Sequence, residues 1–157
     1  MNNYDYFYWI IIFVPLVLGF ISGRIGKVDE WYMKTLKKPF LNPPSFVFPI
    51  AWSILYLLMG VSYYYGLYKK EAIFWILPII HLIFNLSYSP VFFYFKQLLG
   101  GAILTTIILI TALMVMYQFY YYSKYPIAVY LLIPYILWLL FANYLAWSIY
   151  FLNNNNK

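Results

Sequence analysis

The sequence predicts an all-α membrane protein, a five-transmembrane-helix bundle with a long lid loop between helices 1 and 2. Two observations carry that reading. Of 157 residues, 66% are apolar and only 9% charged, with a mean hydropathy of +0.76, which is more apolar surface than a soluble chain of this size can hide in its interior. The charged residues are also clustered, and they leave charge-free windows at residues 6–23, 39–68, 72–95, 97–123 and 125–156. Each window can cross about 30 Å of hydrocarbon as a helix of about 20 residues, and none shows the alternation of a barrel strand. We place helices at residues 6–23, 44–67, 72–95, 98–122 and 126–151 and the lid at 24–43, all in one domain, 1–157.

The first helix begins beside Asp5 rather than a basic residue, and no A-x-A-like site follows, so it is read as a retained helix and not a cleaved signal. Pro15 leaves a carbonyl unpaired near its middle, which a neighbouring helix or a local bend has to satisfy. Gly19 and Gly23 are spaced to admit another backbone closely, inside the bundle or across a dimer.

The connection that follows holds Asp29 and Glu30, half the basic residues, and Trp31, Tyr32, Pro39, Phe40, Pro43 and Pro44. Rings and prolines at that density predict an ordered segment packed on the bundle instead of a disordered loop. The remaining connections, at residues 69–71, around Lys96 and at 124–126, are tight and force successive helices to lie antiparallel and adjacent. No internal repeat is present, and the run from Asn153 to Asn156 reads as a solvated tail.

Basic residues set the expected orientation. Arg24, Lys27, Lys34, Lys37, Lys38, Lys96 and Lys157 fall on one side against Lys69, Lys70 and Lys124 on the other, which in a bacterial-type membrane puts the N-terminus outside and the C-terminus inside. The net charge of +6 sits at helix ends, without a stripe to track phosphates, so membrane lipid headgroups and not nucleic acid are the expected counterparts.

Several chemistries are excluded by residue type. No charged residue falls inside a proposed span, which removes carboxylate proton relays and arginine voltage sensors. One histidine and no cysteine cannot build the usual zinc or haem-iron site, and every carboxylate lies at a helix end or in a loop, away from any hydrolytic constellation.

What remains is a polar seam on the third helix. His81, Asn85, Tyr88 and Ser89 recur at helical spacing and share one face, which in lipid has to point inward. Such a face either bonds neighbouring helices together or orients a ligand in a mostly apolar pocket; for His81 alone, packing is the reading. Trp138 and Ala142 on the fifth helix, with Tyr135 one turn earlier, pair a large ring with a small neighbour, and Trp52 and Tyr56 repeat aromatic walls on the second. Three such faces under an ordered connection predict a cavity for flat apolar ligands.

These residues resemble the translocator proteins, also called tryptophan-rich sensory proteins or peripheral-type benzodiazepine receptors, over nearly the whole chain. The family pattern W-Y-x-x-L-x-K-P-x-W-x-P-P is met, with one additional residue between Tyr32 and Leu36, by Trp31, Tyr32, Leu36, Lys38, Pro39, Pro43 and Pro44, and continues in Trp52, Leu55, Tyr56, Met59 and Gly60. Gly19, Gly23 and Arg24 are similar to its first-helix ending, Asn85, Pro90, Phe92, Phe93 and Gln97 to its third helix, and Leu132, Pro134, Tyr135, Trp138, Phe141 and Ala142 to its fifth. Departures are Leu41 and Leu86 where the family has tryptophan, Leu104 in the region of an acidic residue of animal members, and a C-terminus from Tyr150 to Lys157 too long for the cholesterol-type pattern.

The resemblance implies a receptor or transporter that binds porphyrins and other hydrophobic aromatic small molecules in an intra-bundle pocket, with a haem-type tetrapyrrole as ligand and no resident cofactor or metal. Its implied ligand-binding residues are Tyr32 and Pro43 from the lid, then Trp52, Asn85, Tyr88, Ser89, Trp138 and Ala142. Tryptophan rings would stack on the ligand, Asn85 would orient it, and Ala142 would leave room. Two other classes stay open: light-dependent porphyrin degradation through Trp52 and Trp138, and a structural or partner-binding membrane protein. The family also implies a homodimer, in a bacterial envelope membrane or a mitochondrial outer membrane.

Overall fold

The computed structural model describes residues 3–154, with side chains from residue 9 onward, and among them the chain is helical and forms no strand. It runs through α1 (Asn3–Ile25), a π-helical turn (Trp31–Thr35), α2 (Val47–Leu67), a 3-10 turn (Ala72–Trp75), α3 (Ile76–Ser89), a second π-helical turn (Pro90–Tyr94), α4 (Leu98–Tyr122), the one-turn α5 (Ile127–Tyr130) and α6 (Ile133–Asn154). By length and composition, Val47–Leu67, Ala72–Tyr94, Leu98–Tyr122 and Ile127–Asn154 can each cross a membrane, and Trp9–Ile25 forms a shorter apolar helix. This is compatible with a five-helix membrane bundle. Asn155 and Asn156 of the expected tail, and Lys157, lie outside the described residues.

α1 packs along α2, and α4 packs along both α3 and α6. One core joins them: Met59, Tyr63 and Leu67 of α2 meet Ile108, Ala112, Val115 and Phe119 of α4 and Leu132, Tyr135 and Leu139 around the start of α6. The outward faces are apolar too, with Ile79, Ile80 and Ile83 of α3 and Tyr117, Tyr120 and Tyr121 of α4 exposed. A surface of that kind suits lipid and not water.

Two of the predicted spans are interrupted at prolines, and each interruption is repaired by a neighbour. Pro90 has no N–H to give the carbonyl of Leu86, four residues back; Ser22 of α1 donates its hydroxyl to that oxygen instead. Pro78 likewise cannot serve Phe74, whose carbonyl accepts from Gln118 Nε2 of α4 at 2.8 Å. Between α5 and α6, the N–H of Leu132 turns to Val129 O, and the Ala128 carbonyl accepts from Ser62 Oγ of α2 at 2.6 Å. After Pro90 the chain widens into π-type bonding, with Phe95 N–H donating to Pro90 O at 2.9 Å.

Glycine sets the closest helix approaches, although not at the expected positions. A Cβ on Gly60 would overlap the backbone of Ile12, and one on Gly26 would overlap the Ser89–Pro90 peptide. Gly19 instead accommodates the ring of Tyr56, and Gly23 has nothing within 4 Å of where a Cβ would stand. The Gly19–Gly23 spacing therefore opens space inside the bundle and seats no second backbone of the same chain.

The first connection is held against the bundle at several points. Asp29 Oδ1 accepts from Tyr32 N–H at 3.1 Å, and its other oxygen pairs with Lys96 Nζ at 3.2 Å, just past the second π-helical turn. Tyr32 is buried with Phe92 and Ile149, and Lys96 lies over the Trp31 ring at 5.3 Å. Asn153, expected in a solvated tail, lies in α6: its Oδ1 accepts from Lys37 N–H at 3.0 Å and its Nδ2 donates to Lys37 O at 2.9 Å.

The proline repairs predict non-additivity. Ser22→Ala leaves Leu86 O unpaired and costs about 1–3 kcal/mol of stability in detergent unfolding. In a Pro90→Ala background residue 90 supplies its own N–H, so the same change costs much less; equal losses in both backgrounds would refute the assignment.

The Asp29 clamp predicts an acid transition. The Tyr32 N–H, and then Lys96, hold the Asp29 carboxyl below its ordinary value of 3.8. A depressed folded-state value means the contribution is complete above 3.8 and lost as the pH falls through the lower folded value. Protection of the amides of residues 30–36 against exchange, taken relative to the intrinsic rate at each pH, falls only in that acid range, and Asp29→Asn lowers it at neutral pH and removes the acid step.

Candidate functional site

A cavity of about 620 Å³ occupies the half of the bundle nearest the first connection. Gly19 and Gly23 of α1, Tyr32 of the connection, Phe48, Trp52 and Tyr56 of α2, Tyr88 and Ser89 of α3, and Phe92 of the π-helical turn contribute to its wall. The α6 side is Ala142, Leu145, Ala146 and Ile149, one face at steps of three and four. The cavity exists because small residues stand where two helices would otherwise close: Gly23 on one side and Ala142 with Ala146 on the other.

Its floor is a chain of hydrogen bonds whose directions are mutually determined. Thr111 Oγ1 donates to Ile107 O at 2.9 Å and so accepts from His81 Nδ1 at 2.9 Å. His81 Nε2 is then the acceptor for Tyr135 Oη at 2.9 Å, and Tyr135 Oη accepts from Asn85 Nδ2 at 2.7 Å. Asn85 Oδ1 completes the series by accepting from Tyr56 Oη at 2.6 Å. One neutral imidazole tautomer satisfies every member, which is how a buried polar network becomes stabilising. It ties α2, α3, α4 and α6 together directly beneath the wall.

The polar seam thus divides. His81 and Asn85 are buried and bonded across helices, although Asn85 still reaches the cavity wall. Tyr88 and Ser89, one turn on, line the same cavity, and among the described residues their hydroxyls have no bonded partner. Tyr88 stacks on Phe92 with centroids 5.5 Å apart, which fixes its ring while leaving the hydroxyl available.

Of the residues expected at the site, Tyr32, Trp52, Asn85, Tyr88, Ser89 and Ala142 are brought together around the cavity. Trp138 and Pro43 are not part of its wall. Trp138 sits one layer back, edge-on to Trp52 at 6.5 Å and to Phe48 at 6.2 Å, because Ala142, a turn later on α6, takes the cavity-facing position. Its indole N–H is buried without a hydrogen-bond acceptor among the described residues. Pro43 is drawn aside by Asn42, which accepts from Tyr32 Oη and donates to Pro43 O, both at 3.1 Å. Burial raises the pKa of the Tyr32 hydroxyl and keeps it a donor in that bond.

Sequence reasoning did not place Arg24 and Lys27, which also line the cavity, or the Leu145, Ala146 and Ile149 face. The latter was readable as the continuation of Ala142 at helical steps. A second bridge was missed as well: Asn143 Nδ2 and Trp147 Nε1 both donate to Thr106 Oγ1 at 3.0 Å, joining α6 to α4.

Comparison with known proteins places this architecture. The model of the TspO/MBR family matches residues 11–152. The tryptophan-rich protein TspO of Bacillus cereus is 31% identical over 92% of this chain and 95% of its own length, and that of Chlorobaculum tepidum is 35% identical over 88% and 90%. The translocator protein of Sus scrofa is 33% identical over 85% of this chain and 84% of its own. With its apolar helices, the chain is a multi-pass integral membrane protein, and it belongs to the TspO/MBR family.

Proposed function

We propose that the protein is a five-helix transmembrane receptor or transporter that binds porphyrins and similar hydrophobic aromatic molecules in the cavity between α1, α2, α3 and α6. The observation that carries the reading is the wall itself. It is mostly aromatic and aliphatic, within the size range of small-molecule pockets, and it offers a few fixed polar groups, as such pockets do. Trp52 and Phe92 supply flat faces, Ala142 leaves room between helices, and the hydroxyls of Tyr88 and Ser89 orient the ligand. Asn85 acts mainly through the floor, where both ends of its amide are already engaged.

In this reading the first connection is a lid. Tyr32 reaches the cavity from that segment, and the contacts of Asp29 and Asn153 hold the segment over it. The names of the relatives, translocator and tryptophan-rich protein, agree with a ligand-handling role for an aromatic-walled cavity. Membrane lipids surround the bundle, and a second copy of the chain is its proposed partner, as the family resemblance implies.

A second reading, light-dependent porphyrin degradation, draws on the direct contact of Trp52 with Trp138, which offers an electron path away from the cavity. Illuminating the bound complex gives a protein-dependent product spectrum if this holds; bleaching identical to that of free porphyrin excludes it.

Ala142→Phe fills the gap between α6 and the opposite wall. Protoporphyrin then no longer quenches tryptophan fluorescence, while circular dichroism still reports a folded helical bundle. Unchanged affinity in that variant would remove the pocket assignment.

A further inference from the structure

We infer that the cavity carries an anion subsite at its rim, formed by Arg24 and Lys27, and that it favours amphipathic carboxylates over neutral apolar molecules. The inference rests on the pocket reading above and adds the charge of the ligand.

Arg24 and Lys27 are the charged residues on a wall that is otherwise apolar or uncharged. Neither has an ion-pair partner among the described residues. The nearby carboxylates are engaged elsewhere: Asp29 with Lys96 at 3.2 Å and Glu30 with Lys34 at 3.0 Å. Both cations line one cavity, and no carboxylate among the described residues comes to neutralise them.

A helix C-terminus favours a nearby cation, and this accounts for Arg24 in the last turn of α1. It does not account for Lys27, which lies beyond the helix end and lines the same cavity. The surroundings also suit a ligand and not merely solvent. Gly23, adjacent to Arg24, leaves open space within 4 Å, so a ligand can approach the α1 backbone beneath the guanidinium. Gly26, between the two cations, is seated against the Ser89–Pro90 peptide, which fixes the rim relative to the hydroxyls of Tyr88 and Ser89. A carboxylate at the rim and a flat apolar body between Trp52 and Ala142 would satisfy both ends of the cavity at once.

Such a carboxylate could come from a tetrapyrrole acid or from a lipid acid, and one titration separates them. The full chain, in a zwitterionic detergent at low salt, is titrated with protoporphyrin and with its dimethyl ester, which keeps the ring and removes both charges. Tryptophan quenching is the readout, and oleate is added as a competitor. The free acid is expected to bind about tenfold more tightly than the ester, and Arg24→Gln with Lys27→Gln is expected to erase that preference, so that acid and ester bind the double variant equally. Competition by oleate in the parent but not in the double variant also supports the subsite and assigns a lipid acid as its source.

Equal binding of acid and ester by the parent protein, or a preference that survives the double substitution, overturns the subsite and leaves the pocket reading standing. Binding of neither porphyrin overturns the pocket reading, and the subsite falls with it. Arg24 and Lys27 are both exposed, so the variants fold, and Lys27→Arg, which retains the charge, restores the preference for the acid.

Discussion

A peptide carbonyl that loses its donor inside a bilayer has no water to turn to, and that constraint organises this molecule. The chain places proline within or at the edge of several of its spans. At Pro78 and Pro90 the orphaned oxygen is met by a side chain from a different helix, Gln118 and Ser22 respectively. Each repair is also a tether. A donor that reaches across to a broken helix fixes the distance and rotation of two elements, which apolar contacts between helices in lipid do not fix by themselves.

The site inherits its shape from those tethers. Ser22 and Gly26 lock the end of α1 onto the Pro90 junction, so α1 cannot close further on α3 in that half of the bundle. In the other half the Tyr56–Asn85–Tyr135–His81–Thr111 series draws four helices together. Between a fixed rim and a fixed floor, Gly23 and Ala142 leave volume that neither helix can fill by moving inward. The cavity is thus a consequence of backbone satisfaction as much as of wall composition.

Much of this was legible from residue order, for physical reasons. Charge-free windows locate spans because burying a charge in lipid is costly, and helical spacing put Asn85, Tyr88 and Ser89 on one face because the helix period is fixed. Phase was harder. Trp138 and Ala142 are four apart and share a face, but which of the two meets the cavity depends on where along α6 the helices diverge, a property of the assembled bundle. Gly19 and Gly23 show the same limit: their spacing permits a close helix contact, and the contact fell instead at Gly60 and Gly26. Asn153 looked like the start of a polar tail, since only the folded chain brings the Lys37 backbone beside it.

The division of labour along α3 bears on how such a site can change without losing its fold. His81 and Asn85 have their hydrogen bonds directed into the floor, so alteration there exposes unpaired partners on several helices and is paid in stability. Tyr88 and Ser89 contribute hydroxyls that no neighbour among the described residues requires, and Arg24 and Lys27 carry charges that no ion pair among those residues consumes. Substitution at those four positions can retune what the cavity prefers at little structural cost. The same helix therefore separates residues that hold the bundle from residues that address its contents, with the boundary between Asn85 and Tyr88, a single helical turn apart.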